Sequence, residues 1–164
     1  MSETEKNLKA AFAGESQANR KYLAFAKQAE KEGYLQAAKL FRAAAEAETV
    51  HAHHHLRVLG EIKTTAENLK TAFEGEQYEN EVMYPEFIKA AEADGNKAAV
   101  LTFRYAMDSE KGHMDLYAKM TKTMNDAENL DYFVCQICGY TAENGAPDKC
   151  PLCNAKPELF KKID

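Results

Sequence analysis

The sequence predicts a mainly α chain, a four-helix bundle followed by a small metal-binding tail, and three observations carry that expectation. From Ser2 to about Asn125 the composition is dominated by Ala, Leu, Glu, Lys and Gln, the strong helix formers. A block of this stretch is written twice. All four Cys and three of the four Pro fall after residue 134, so a differently built segment begins near residues 125–131. The 164 residues therefore divide into an expected helical domain, 1–127, and an expected tail domain, 128–164.

Each helix is marked by its punctuation. The first is expected from about residue 4 to 32, with Ser2 and Glu5 as a capping box and Gly33 as its stop. The second spans about 35 to 59 and ends at Gly60. Thr64 and Glu67 form another capping box, opening a third helix to about Ala93, with Pro85 inside it as an expected kink. Asn96 caps a fourth, ending near Asn125.

The repeat ties these helices together. LKAAFAGE at 8–15 recurs as LKTAFEGE at 69–76, Phe41-Arg42 as Phe103-Arg104, and Glu48 and His51 as Glu110 and His113. The offset is 61 at first and 62 later, so one residue has been gained between Glu76 and Phe103. A two-helix hairpin is present twice. Each would leave an apolar face in water alone, so two hairpins packed face to face are the expected assembly.

Read at spacings of three and four, the inward stripes are Leu8, Phe12, Glu15, Asn19, Tyr22, Ala26, then Phe41, Ala44, Glu48, His51, His55, Val58. The second hairpin gives Leu69, Ala72, Glu76, Glu79, Met83, Phe87, then Phe103, Ala106, Glu110, His113, Tyr117, Met120. Every stripe is apolar at both ends and ionisable in the middle. Unpaired buried carboxylates cost several kcal/mol each, which a domain stable by about 5–15 kcal/mol cannot sustain. Cations must sit among them. A Glu from each of two helices, with Glu-x-x-His from each of the other two, is the ligand set of a carboxylate-bridged di-iron or di-manganese bundle. Glu15, Glu76, Glu48/His51 and Glu110/His113 supply it.

Glu79 breaks the symmetry, because its counterpart is Ala18. A fifth carboxylate overcompensates two divalent ions and suits a more oxidised pair. Glu79 is therefore expected to bind one metal in the oxidised centre and to yield its place to His51 in the reduced one. Tyr22 and Tyr84 are expected to hydrogen-bond the ligating carboxylates. His53 and His54 are expected in solvent, His55 near the site, and Met107, Met114, Met120 and Met124 in the core.

The tail contains Cys135-x-x-Cys138 and Cys150-x-x-Cys153, separated by eleven residues. That pattern indicates a four-thiolate metal site rather than disulfides. So short a segment builds little core, so the metal supplies much of its folding free energy. Zinc and iron both suit four thiolates; a redox partnership with a di-iron centre favours iron. Cys138-Gly139-Tyr140 and Cys150-Pro151-Leu152-Cys153 resemble the two knuckles of rubredoxin, with Asn154 where Gly commonly follows the last Cys. Asn tolerates the left-handed conformation, so that knuckle is expected to form.

The composition narrows the partners. At 45% hydrophobic and 29% charged, with a net charge of −5, the chain reads as soluble and globular, without the basic footprint of a nucleic-acid or anionic-membrane binder. No apolar run approaches ~20 residues. The start, MSETEKNLK, lacks the apolar core of a secretion signal, so a cytoplasmic location is expected.

The ligand set Glu15, Glu48, His51, Glu76, Glu79, Glu110 and His113, the stretch GEQYENEVMYP at 75–85 and the rubredoxin-like tail together resemble the rubrerythrin family over essentially the whole chain. The resemblance implies a ferritin-like bundle in which Glu48 and Glu110 bridge two irons. Glu15 and the exchanging Glu79 or His51 would serve one iron, Glu76 and His113 the other. It implies a non-haem peroxidase that reduces hydrogen peroxide to water in oxidative-stress defence. Those seven residues would be its catalytic and metal-binding set. Cys135, Cys138, Cys150 and Cys153 would hold a one-electron relay iron. NADH-derived electrons would come from an external reductase or rubredoxin. A homodimer or higher homo-oligomer, with or without exchanged helices, would bring one subunit's tail close to the other's di-iron site. The rival readings are an oxygen-consuming ferroxidase or iron-handling protein, and a non-catalytic scaffold with a structural zinc ribbon.

Overall fold

The computed structural model describes residues 1–126 and 129–164, so the expected domain boundary at 127/128 lies outside the described residues. The fold is of the expected class, ferritin-like helices followed by a small rubredoxin-like sheet domain. Its compact units are Met1–Lys63 and Thr64–Asp164. The tail thus shares a unit with the second hairpin.

The first unit is a hairpin of α1 (Glu3–Lys31) and α2 (Leu35–Leu59). Ser2 and Glu5 form the full capping box, and Gly60 closes α2 in the left-handed conformation at φ 69°. The helices approach along a seam of small residues, Ala26, Ala29, Ala38, Ala45 and Ala52, all buried. Tyr22, Phe25 and Phe41 cluster beside it with ring centroids 5.6–6.3 Å apart, and Arg42 pairs with Glu30.

The second unit repeats these devices. It contains α3 (Thr65–Tyr78), a π-helical turn (Glu79–Met83), α4 (Tyr84–Ala93) and α5 (Lys97–Thr123). The Thr64/Glu67 capping box forms, and the Asn96 side chain accepts from the Ala99 amide. Tyr84, Phe87 and Phe103 reproduce the aromatic cluster, and Arg104 pairs with Glu92. The uninterrupted third helix with a kink at Pro85 is corrected by the π turn. There the Tyr84 amide reaches back to the Glu79 carbonyl, and Pro85 stands in the first turn of α4, where its missing N–H costs nothing.

The π turn is also the gained residue of the repeat. Asn19 donates to the Ala45 carbonyl and Asn80 to that of Met107, so Asn80 matches Asn19 at offset 61. Tyr84 matches Tyr22 at offset 62. The insertion therefore lies between Asn80 and Tyr84, within the turn, as expected when one extra residue is absorbed into an α-helix.

Three expected core residues prove exposed: Val58 at 72%, Phe87 at 42% and Met124 at 39%. A pair of helices covers only its seam, which leaves Val58 and Phe87 outside. Met124 lies just beyond the end of α5. Met107, Met114 and Met120 are half-buried.

In the tail, β1 (Tyr132–Cys135) is the central strand, antiparallel to β2 (Thr141–Glu143) and β3 (Phe160–Ile163). Its core is Cys135, Cys138, Cys150 and Ala155, with Tyr140, Leu152 and Phe160 around them and Tyr105 of α5 packed against them. No helix among the described residues is long and apolar enough to cross a membrane.

Candidate metal centres

Helical spacing brings Glu48 and His51, three residues apart, onto one face of α2, and Glu110 and His113 onto one face of α5. In the first unit, Glu15, Glu48 and His51 form one group whose ligand atoms lie within 4.8 Å of one another. His51 Nδ1 is 2.9 Å from Glu48 Oε2 and 3.9 Å from Glu15 Oε1. In the second unit, Glu76, Glu110 and His113 form an equivalent group. Here His113 Nδ1 is 2.7 Å from Glu110 Oε2 and 3.5 Å from Glu76 Oε2. Each group offers two carboxylates and one imidazole with Nδ1 turned inward, the donor set for half of a dimetal centre.

The second group shows the charge conflict that a cation would relieve. Burial, reinforced by the hydrogen bond and charge of Glu110, pushes Glu76 up to about 7. Burial also acts to raise Glu110, but hydrogen bonds from His113 and Glu76 overcome it and hold its carboxyl below the usual range. Hydrogen bonding to Glu110 raises His113 against the opposing effect of burial. Raised Glu76 and His113 around a lowered Glu110 mark a place that favours added positive charge.

Glu79 lies near this group but outside it. Burial, then the Glu110 charge, raises its pKa. The Tyr84 phenol is raised by burial and then by Glu79, Glu110 and Glu76. Among the described residues neither Tyr22 nor Tyr84 hydrogen-bonds a carboxylate of these groups; both pack in the aromatic clusters. His53 and His54 are exposed, and His55 is half-buried and outside the metal-binding groups.

The four cysteines form the third group. Cys135 and Cys153 Sγ are 3.6 Å apart, and Cys138 and Cys150 Sγ 3.5 Å. Four sulfurs each about 2.3 Å from one ion stand about 3.8 Å apart. The cluster therefore fits a tetrahedral metal and is far too open for disulfides. The knuckles match: the Gly139 amide donates to the Cys135 carbonyl at 3.0 Å, and that of Asn154 to Cys150 at 2.9 Å. Asn154 takes the left-handed conformation at φ 61°, mirroring Gly139 at 86°.

Sequence reasoning missed where the tail sits. Thr141 Oγ1 lies 3.1 Å from His113 Nε2, Lys119 pairs with Glu143 at 2.6 Å, and Ser109, 2% exposed, faces Gly139. No motif announced these contacts. Asn19 and Asn80 did carry a signal, since both repeat at the ligands' own offset.

A Glu/Glu/His group on each of two helical hairpins, with a four-thiolate tail, defines a class of metal-binding helical protein carrying a rubredoxin-like domain. The comparisons agree. The family model for rubrerythrin matches residues 6–121, and that for the rubrerythrin rubredoxin-like domain matches 133–161. Nigerythrin of Nitratidesulfovibrio vulgaris is 36% identical, covering 96% of this chain and 85% of that protein. Rubrerythrin of Porphyromonas gingivalis is also 36% identical, covering 97% and 88%. The structure of fully reduced, all-ferrous nigerythrin superposes with a TM-score of 0.61 at 34% identity, covering 99% of this chain and 88% of that one. The chain belongs to the rubrerythrin family.

Proposed function

We propose that this chain is a non-haem di-iron peroxidase that reduces hydrogen peroxide to water in oxidative-stress defence. Its electrons would come from NADH through an external reductase or rubredoxin. The observation that carries the reading is the seating of the four-cysteine domain on α5, its cluster packed against Tyr105 and its Thr141 in hydrogen-bond reach of His113, within one compact unit. When bound, the iron pair supplies the two electrons that peroxide reduction consumes, and the tetrathiolate iron is suited to returning them singly.

The residues have distinct tasks. Glu48 and Glu110 would be shared between the two irons, Glu15 and Glu76 would each serve one, and His51 and His113 would offer Nδ1. Glu79, on the π turn, would exchange with His51. His113 is held at both ring nitrogens, whereas His51 has no recorded partner at Nε2 among the described residues. That difference favours His51 as the mobile ligand. Each unit carries only half of the donor set, so a complete centre needs both hairpins. A homodimer or higher homo-oligomer, with helices exchanged between protomers as one route, supplies them in the cytoplasm.

Stopped-flow oxidation of the fully reduced, iron-loaded protein tests the reading. Peroxide should oxidise it much faster than dissolved oxygen does. Equal or faster oxidation by oxygen would favour the ferroxidase.

A further inference from the structure

Hydrogen-bond polarity around His113 assigns a role to a residue of the tail. Thr141 Oγ1 is 3.3 Å from the Gly139 carbonyl oxygen and 3.1 Å from His113 Nε2. With Nδ1 turned to the carboxylates of Glu110 and Glu76 as the metal-facing nitrogen, the ring proton lies on Nε2 and is donated to Thr141 Oγ1. That leaves the Thr141 hydroxyl proton for the Gly139 carbonyl, a group that can only accept. What Thr141 offers the imidazole is a lone pair, which holds the proton on Nε2. Ser109 Oγ, 3.5 Å from the same Nε2, is a weaker second neighbour.

We propose that Thr141 is a positioning residue for His113. From the rubredoxin-like domain it fixes the Nε2–H tautomer and the ring orientation of a ligand on α5, so the helical site depends on a seated tail. Three contacts hold it there. Gly139 closes on Ser109, Tyr105 packs against the cysteine cluster, and Lys119 pairs with Glu143. The chain from His113 to Cys138 is two hydrogen bonds and the Gly139 backbone. Among the described residues His51 has no equivalent partner at Nε2, so this support belongs to one half of the repeat.

The inference rests on His113 being a metal ligand and not on peroxide as substrate, and its test leaves activity aside. The full-length protein is titrated with zinc, and its helical-site affinity is measured for the wild type, Thr141→Val and Thr141→Ser. Val keeps the shape and loses the hydroxyl; Ser keeps the hydroxyl and loses the methyl. Thr141→Val should weaken the helical site about 10–100-fold, the range for losing a hydrogen bond to a ligating histidine. Thr141→Ser should stay within about twofold of wild type. In histidine-labelled zinc protein, the His113 Nε2 proton should exchange with solvent at least about tenfold faster in Thr141→Val only. Tetrathiolate loading in the same samples reports an intact tail; should Val prevent it, Thr141→Ala replaces Val. An unchanged Val variant, or Ser impaired as much as Val, would overturn the proposal.

Discussion

The approach of Gly139 to Ser109 makes tail docking measurable through one substitution. A Cβ at residue 139 would stand 3.1 Å from Ser109 Oγ and 3.7 Å from Ser109 Cβ, on a backbone at φ 86°. Gly139→Ala therefore has two separable costs. Left-handed backbone penalises an L-residue by about 1–2 kcal/mol, whatever lies nearby. Crowding against the hydroxyl adds to that, because Ser109 is buried and has little room to give. Ser109→Ala removes Oγ and leaves the ordinary 3.7 Å contact, relieving the second cost and not the first. In urea unfolding of the iron-loaded protein, followed by loss of the ferric tetrathiolate band, Gly139→Ala should cost about 1.5–3 kcal/mol. Ser109→Ala should restore at least about 0.5 kcal/mol of it in the double variant. Asn154→Ala, at the matching knuckle with an exposed residue, should show no coupling to Ser109. Additivity of Gly139→Ala and Ser109→Ala within about 0.3 kcal/mol would refute the close seating of the tail on α5.

Three further outcomes follow from the same geometry. In the metal-free protein, Glu76, at about 7 against a usual 4.5, holds a proton that the unfolded chain has released. Its stabilisation falls away as pH rises through that window. The raised His113 also loses its contribution as pH climbs through its folded value, so the thermal midpoint of the metal-free protein should decline from pH 5 to 8; a rise would contradict these assignments. Cys150→Ser should abolish the tetrathiolate band and unfold the β1–β3 sheet, with helical circular dichroism largely retained, because metal supplies much of the tail's stability. Crystal structures of oxidised and reduced iron-loaded protein should show Glu79 and His51 exchanging at one iron, and unchanged ligation there would end that idea.

The grouping of the candidate ligands on the helices was legible because a helix is a local object. Spacing alone places Glu48 with His51 and Glu110 with His113, and the repeat shows which carboxylates join them. Cysteine spacing was equally informative, since four thiolates around one ion dictate their own geometry, even with Asn154 in place of Gly. The extra residue of the second hairpin was visible as a change of offset. Its form was not, because Pro85 reads as a kink until the Asn80 and Tyr84 contacts place the insertion in a π turn. Least legible was the seat of the tail. Ser109, Thr141 and Lys119 are ordinary residues whose importance comes from long-range packing, and nothing in their local sequence separates them from their neighbours. The stripes misled at Val58 and Phe87 because periodicity identifies an apolar face without showing what covers it.

The central claim is that one chain joins a peroxide-reducing iron pair to a tetrathiolate relay. It is tested most directly by loading the full-length protein to about three irons per chain, reducing it completely without oxygen, and adding hydrogen peroxide while following the ferric tetrathiolate band. The band should return as peroxide is consumed, far sooner than in air-saturated buffer. A protein that takes up zinc in place of iron, or whose reduced form stays bleached with peroxide and recolours with oxygen, would contradict the account.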